Sequence, residues 1–335
     1  MEYRSLGRTG VQVSPLCLGC MNFGRRTEEE EAHAIIDAAI DAGINFLDTA
    51  NVYSRGVSEE MVGRALKNNG QRDHIVLATK VHGTMSDDDP NMKGNHRRHI
   101  VEQCEASLKR LQTDWIDLYQ VHRPDPDVPI DETLRALDDL VRSGKVRYVG
   151  TSTFPSWQVV ESLWVAKELG LNRVVTEQPP YHLLDRRIER ELVPMCRTYG
   201  IGIIPWSPLA EGFLTGKYDR DQERTTGRLK TSGKWNDRHF VDAAFDVVDK
   251  CREIGQKHDG ATPAEISLAW NMQQPGVTSP IMGPRTLDQL KSDLKAIEIT
   301  LDVDDLDALD EVTKPGRAIV PYYGANWKAK TRSWI

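Results

Sequence analysis

An α/β fold in which eight parallel strands close into a (β/α)8 barrel is the class this sequence predicts, and three observations predict it. Short apolar runs rich in β-formers recur at residues 14–20, 44–50, 75–81, 115–122, 146–153, 173–178, 201–207 and 279–283. Segments of helical period separate them, and the first seven runs start roughly 25 to 40 residues apart, the length of a right-handed crossover between parallel strands. That alternation leaves either an open doubly wound sheet or a closed barrel, and a count of eight favours closure. No G-x-G-x-x-G loop follows any run, and GFLTGK at 212–217 lacks one spacer and the Ser/Thr of a Walker loop, so the open sheet lacks its phosphate-binding signature.

Along the chain, residues 3–13 (YRSLGRTGVQV) alternate around a tight turn and predict a hairpin, a plug over the barrel bottom. The helix in TEEEEAHAIIDAAIDAG is expected to open on a capping box of Thr27 and Glu30 and to stop at Gly43. A second helix, from Ile130, puts Leu134, Leu137, Leu140 and Val141 on one stripe and ends at Gly144. Residues 210–236 are long, polar and dotted with glycine, which predicts a loop on the ligand face. With 83–95 and an aromatic tail (about 315–335, carrying Tyr322, Tyr323, Trp327 and Trp334), it is expected to wall a pocket on the C-terminal rim. The 335 residues are read as one barrel domain, 1–335.

A net charge of −7 and a pI near 5.8 exclude general attraction to nucleic acid, so an anionic ligand must be met by a few local cations. No apolar stretch reaches a membrane span and no signal-like apolar segment opens the chain, so a cytoplasmic protein with no membrane partner is expected. Cys17 and Cys20 are spaced as C-x-x-C, but three positions along a strand face opposite ways, which predicts packed or pocket-edge thiols and no metal. His96 and His99 are expected at a solvated helix start.

The polar residues that end the apolar runs carry the chemistry. INFLDTANVY supplies Asp48 and Tyr53, IVLATKV supplies Lys80, and WIDLYQVHRPD ends on His122. The carboxyl ends of barrel strands share one rim, so groups from three adjacent strands can converge there. A phenol, with a free pKa of about 10, becomes a usable acid beside an ammonium that stabilises its anion, and a carboxylate keeps that ammonium charged. A neutral imidazole beside the phenol can then polarise a carbonyl oxygen.

Taken in order, SLGRTGVQVSPLCLG, AGINFLDTANVY with SEEMVGRAL, LATKV, DLYQVHRPD, GKVRYVGTSTF, EQPPYHLLDR, IPWSPLAEGFLTGKY and GPRTLDQL resemble an aldo-keto reductase over roughly nine-tenths of the chain. The resemblance implies a (β/α)8 TIM barrel that reduces an aldehyde or ketone reversibly with NADPH/NADP+, with a small-molecule carbonyl as its partner. It assigns Tyr53 as general acid, supported by Lys80 and Asp48, with His122 at the carbonyl. It places Ser152, Thr153 and Gln178 on the nicotinamide carboxamide, Thr153 standing where the family has Asn, and Trp206 against the ring. Ser207, Leu209 and the stretch from Gly212 to Lys217 would follow the pyrophosphate, and Gly283, Arg285 and Gln289 the 2′-phosphate. Ser292 and Asp293 stand where the family meets adenine, and Gly19, Cys20, Met21 and Asp48 complete the cofactor set. Arg285 is the one clear phosphate fork, with Arg224 or Arg228 as additions. The same fold resembles potassium channel β subunits, which implies a cofactor-sensing regulatory subunit as the rival, with an NAD-dependent sugar or polyol dehydrogenase as the other.

Overall fold

The computed structural model describes residues 1–220, 227–231 and 233–321. β1 (Arg4–Ser5) pairs antiparallel with β2 (Gln12–Val13) as the expected hairpin. Eight parallel strands follow: β3 (Cys17–Gly19), β4 (Phe46–Asp48), β5 (Val76–Val81), β6 (Ile116–Val121), β7 (Val146–Ser152), β8 (Val174–Gln178), β9 (Gly202–Ile203) and β10 (Ile281–Met282). Each lies within one of the predicted runs. They pair in the order β10-β3-β4-β5-β6-β7-β8-β9, and Thr278 N to Ile203 O (2.8 Å) and Ile281 N to Pro205 O (2.8 Å) join the last strand region to β9 and close the barrel. Strands β3, β9 and β10 are shorter than their runs, in which Pro15, Pro205 and Pro280 have no amide to give the ladder.

Helices α1 (Glu29–Asp41), α2 (Val57–Asn69), α3 (Arg97–Leu111), α4 (Ile130–Arg142), α5 (Ser156–Leu169) and α6 (Leu192–Tyr199) make the crossovers from β3 to β9 in turn. Between β9 and β10 lie α7 (Lys234–Asp237), α8 (Asp242–Lys257) and α9 (Pro263–Gln273), while α10 (Leu287–Lys295) and α11 (Val303–Val312) follow β10. Outward strand positions such as Leu18, Leu47, Leu77 and Tyr119 join the helix faces in the main core, which includes the α4 stripe of Leu134, Leu137 and Leu140. Each such leucine contributes about 1.5–3 kcal/mol by leaving water.

Inward positions form a second, smaller core. Cys17, Phe46, Ala78, Leu118 and Ile204 pack with Leu6 and Val13 of the hairpin. Arg8 N also donates to Gly200 O at 2.9 Å, just before β9, so the hairpin does seal the amino-terminal end. Cys17 thus faces inward and Cys20 outward, as strand parity requires. Gly43 and Gly144 end their helices at φ +93° and +78°.

Two expectations fail locally. α1 has no capping box: Glu28 is its N-cap without a side-chain bond, and the Thr27 hydroxyl instead donates to Arg285 O at 3.1 Å. A tertiary acceptor has outcompeted the local one. His99 is buried rather than solvated, because α3 begins at Arg97 and the His96 ring, as its cap, accepts from His99 N at 3.3 Å.

Gly7 sits at φ +58°, where an added Cβ would come within 2.4 Å of Val175 O and 2.8 Å of Gly202 N. Gly7→Ala is therefore expected to destabilise by about 3 kcal/mol, combining left-handed strain with backbone overlap. Urea denaturation checks this: the midpoint should fall with the slope unchanged.

Candidate active site

Above the inner apolar core, the inward positions turn polar. On β4 the step from Phe46 to Asp48, on β5 from Ala78 to Lys80 and on β6 from Leu118 to Gln120 each moves one inward position toward the carboxyl end. Lys80 is fully buried; its Nζ donates to the Asp48 carboxylate, to Thr49 O at 2.8 Å and to Tyr53 Oη at 3.3 Å. Burial works against the Lys80 ammonium, but Asp48 and then Tyr53 outweigh it, and the amine titrates above its ordinary value. Asp48 Oδ2 accepts from both Gln120 Nε2 and Gln178 Nε2, each at 3.0 Å.

Tyr53 opens a one-turn 3-10 helix, Tyr53–Gly56, in which Ser54 and Arg55 take left-handed φ of 49° and 53°. His122 follows β6, its amide on Val81 O at 2.8 Å, and its ring meets that of Tyr53 edge-on at 5.7 Å. Burial, then Lys80 and Arg123, hold the imidazole well below its usual pKa, so it is neutral at pH 7. The four groups thus meet: Asp48, Tyr53 and His122 on the wall of a cavity of about 890 Å³, and Lys80 just behind them. That volume suits a cofactor-sized ligand.

The same cavity is lined by Gly19, Met21, Gln178, Trp206, Ser207, Leu209, Gly212, Lys217, Gly283, Arg285, Gln289, Ser292 and Asp293. Cys20, Ser152 and Thr153 do not line it. Cys20 points outward from β3 into the main core, where burial, then Asp48, pushes its thiol up. The Ser152 hydroxyl donates to Gln178 O at 2.8 Å. Thr153 accepts from Arg123 Nη1 at 2.6 Å and sits at φ +65°, a backbone region that suits the family's Asn better than a β-branched side chain. Of the predicted walls, the stretch after β9 contributes through Glu211, Gly212, Thr215, Lys217, Gly227 and Arg228, whereas no residue of 83–95 lines the cavity. Gly94 N on His82 O (2.7 Å) and Asn95 N on Asp125 (3.1 Å) tie that loop down elsewhere. Arg224 and the aromatic tail residues Tyr322, Tyr323, Trp327 and Trp334 lie outside the described residues.

Of the cations expected from the sequence, Lys217, Arg228 and Arg285 line the cavity, and Arg26 after β3 and Arg123 after β6 join them. Burial lowers Arg26, helped by Arg228, Arg25 and Arg285; burial also lowers Lys217, helped by Arg285 and Arg26. Several positive groups around one cavity suit an anionic ligand. Arg26 was missed, although the pair Arg25-Arg26 just after the first run was visible. Beyond the cations, Asp293 is pushed up to about 7 by burial and by Glu265, which itself accepts from Ser292 Oγ (2.8 Å) and Thr262 N (2.8 Å). Among the described residues no cluster of His, Cys, Asp and Glu could hold a metal ion, and no helix is long and apolar enough to cross a membrane.

The Aldo/keto reductase family model matches residues 15–314. The chain belongs to this family. Its aldo/keto reductase relatives include YrpG of Bacillus subtilis, described as an uncharacterized oxidoreductase, 43% identical over 93% of this chain and 96% of that one. A probable voltage-gated potassium channel subunit beta of Oryza sativa is 38% identical over 89% and 92% of the two chains. A putative aryl-alcohol dehydrogenase of Schizosaccharomyces pombe is 37% identical over 92% and 95%. Family membership makes the chain an oxidoreductase, of a family that generally uses nicotinamide cofactors.

Directly beneath the Ser152–Thr153 turn, Glu177 is fully buried and accepts from Phe154 N at 3.0 Å; burial pushes it up to about 8 against 4.5 for the free group. The unfolded chain releases that proton above pH 4.5 and the folded chain keeps it to about 8, so this group's contribution is complete below 4.5 and is lost as pH rises through that window. Glu177→Gln should remove that loss, making stability between pH 6 and 8 flatter by about 1.4 kcal/mol per pH unit, read from urea melts at each pH.

Proposed function

We propose that this chain reduces an aldehyde or ketone to the alcohol with NADPH, reversibly, using Tyr53 as the proton donor and the whole chain as one barrel domain. The observation that carries the reading is the buried Asp48–Lys80 pair with its ammonium 3.3 Å from the Tyr53 hydroxyl at the wall of the large cavity. NADPH, when bound, supplies the hydride and the nicotinamide redox chemistry. Tyr53 Oη holds the proton destined for the carbonyl oxygen. Lys80 stabilises the phenolate that remains, and Asp48 keeps Lys80 charged in a medium that would otherwise strip its proton. His122, neutral, has a ring N–H to offer the same oxygen as charge develops on it.

Gln178, with Trp206, would hold the nicotinamide end; Ser207, Leu209, Gly212 and Lys217 the pyrophosphate; Arg26, Arg285 and Gln289 the 2′-phosphate; and Asp293 the adenine. The cation set favours NADPH over NADH, because a 2′-phosphate gives Arg285 and Arg26 a partner that a hydroxyl does not. Five cysteines, all free and buried, suit a reducing compartment such as the cytoplasm.

The similarity to probable potassium channel β subunits supports a second reading, a cofactor-sensing subunit. The complete set of Asp48, Tyr53, Lys80 and His122 favours turnover instead, since a sensor has no need of a poised proton donor.

Tyr53→Phe should leave NADPH affinity, measured by fluorescence titration, within about twofold while carbonyl reduction falls by about 10²–10⁴. Retained turnover would exclude Tyr53 as the acid. Arg26→Met and Arg285→Met should each raise the KM for NADPH by about tenfold or more and leave that for NADH nearly unchanged, as steady-state rates with both cofactors would show.

A further inference from the structure

Gln120 has no part in the roles set out above, yet it occupies the centre of the polar layer. It is fully buried on β6, in register with Lys80 on one side and Gly150 on the other. An added Cβ at Gly150 would come 2.3 Å from Thr176 Oγ1 and 3.3 Å from Gln120 Cγ, so the glycine leaves the room that the Gln120 side chain crosses. From there Gln120 Nε2 donates to Asp48 Oδ2 at 3.0 Å and Gln120 Oε1 accepts from Gln178 Nε2 at 3.1 Å.

The consequence lies in hydrogen-bond polarity. The Asp48 carboxylate, paired with Lys80, can only accept, so both glutamines must turn an NH2 toward it. Gln178 then uses its two N–H groups on Asp48 (3.0 Å) and on Gln120 (3.1 Å). Only Gln178 Oε1 is left for a ligand in the cavity that Gln178 lines. An amide oxygen fixed in that way accepts from a carboxamide NH2 and rejects a carboxylate. Without Gln120 the Gln178 amide keeps one anchor and can rotate about it, and Asp48 loses a donor on the oxygen that Lys80 does not use.

We infer that Gln120 is a positioning residue that couples the Tyr53-Lys80-Asp48 proton donor to the grip of Gln178 on the nicotinamide carboxamide. This rests on the reductase reading. Gln120 does not line the cavity. It acts by fixing which atom of Gln178 faces the ligand and how much of the Asp48 charge remains for Lys80.

The test uses the full chain with Gln120→Leu and Gln120→Glu, each followed by NADPH titration through tryptophan fluorescence and by pH profiles of kcat and kcat/KM for a reducible aromatic aldehyde. Gln120→Leu should weaken NADPH about tenfold. It should also move the alkaline limb of the rate profile upward, because an Asp48 with fewer donors holds Lys80 more tightly to itself and away from Tyr53. Gln120→Glu keeps the length: protonated, the new carboxyl can donate to Asp48 and accept from Gln178, as the amide does, whereas ionised it repels Asp48. Its NADPH affinity and rate should match the parent near pH 6 and fall as pH rises, an extra limb that the parent lacks. A side chain that merely fills the barrel would give Gln120→Glu a profile parallel to the parent at every pH, and that result, or parental NADPH affinity in folded Gln120→Leu, overturns the inference. Should Gln120→Leu fail to fold, the Gln120→Glu profile decides alone. If the parent binds NADPH and reduces the aldehyde, a negative result in the variants touches Gln120 only; if the parent does neither, the reductase reading falls and this inference with it.

Discussion

The ion pair of Lys80 and Asp48, both buried inside the barrel, is the constraint on which the rest of the site depends. Two charges brought out of water are stable only when their remaining hydrogen-bonding capacity is met, and removing one partner of such a pair costs about 3–5 kcal/mol. Here Thr49 O and Tyr53 Oη complete the ammonium, and Gln120 and Gln178 complete the carboxylate. The pair therefore dictates polarity outward in both directions. It presents a positive charge to a phenol and orders two amides around a negative one.

Barrel geometry explains why the pair can exist at all. Inward positions lower in the barrel are apolar, and the hairpin residues Leu6 and Val13 close that end against water. Only the carboxyl end is open, so the next inward layer, Asp48, Lys80 and Gln120, lies between a sealed hydrocarbon layer and the cavity, with Asp48 reaching the cavity wall. The low effective dielectric below strengthens the ion pair, while the cavity above gives Tyr53 and His122 access to a ligand. Glycines make the layer possible where strands crowd: a Cβ on Gly19 would lie 2.5 Å from Ile281 Cγ2 and 2.9 Å from Met282 O.

What could be read in the sequence follows the range of the forces involved. Strand positions, the hairpin and the convergence of Asp48, Tyr53, Lys80 and His122 were legible because each depends on period, length and the shared rim of a closed barrel. Thr27 misled because its capping partner is local in sequence while its actual acceptor, Arg285 O, lies on the far end of the chain. Cys20 entered the cofactor set through the resemblance, but its side chain points away from the cavity, as the parity count from Cys17 requires. The same count would have found Gln120, two residues before His122 and level with Lys80 in the register. Arg26 had no such rule, since loop cations acquire a common target only when three segments are folded together.

Backbone strain is concentrated where this chemistry is. Ser54, Arg55, His82, Thr153, Ser207, Ala210 and Glu211 all have positive φ without being glycine, and all lie just past the carboxyl ends of barrel strands. Such residues cost about 1–3 kcal/mol each, and persist only where neighbouring structure over-determines them. The neighbours are visible: Thr153 is held by Arg123 and by its amide on Gln178 O, and Glu211 by Ser207 Oγ and, at 3.5 Å, by Arg228. Burial, then repulsion from neighbouring cations, disfavours charge on Arg26 and Lys217 and adds a second unfavourable term on the same rim. Both are sustained by the two apolar cores beneath, and they differ in kind. The strain is permanent and fixes where side chains point, whereas the repulsion is relieved by any polyanion that enters, so a bound dinucleotide would stabilise the fold by the same interactions that recognise it.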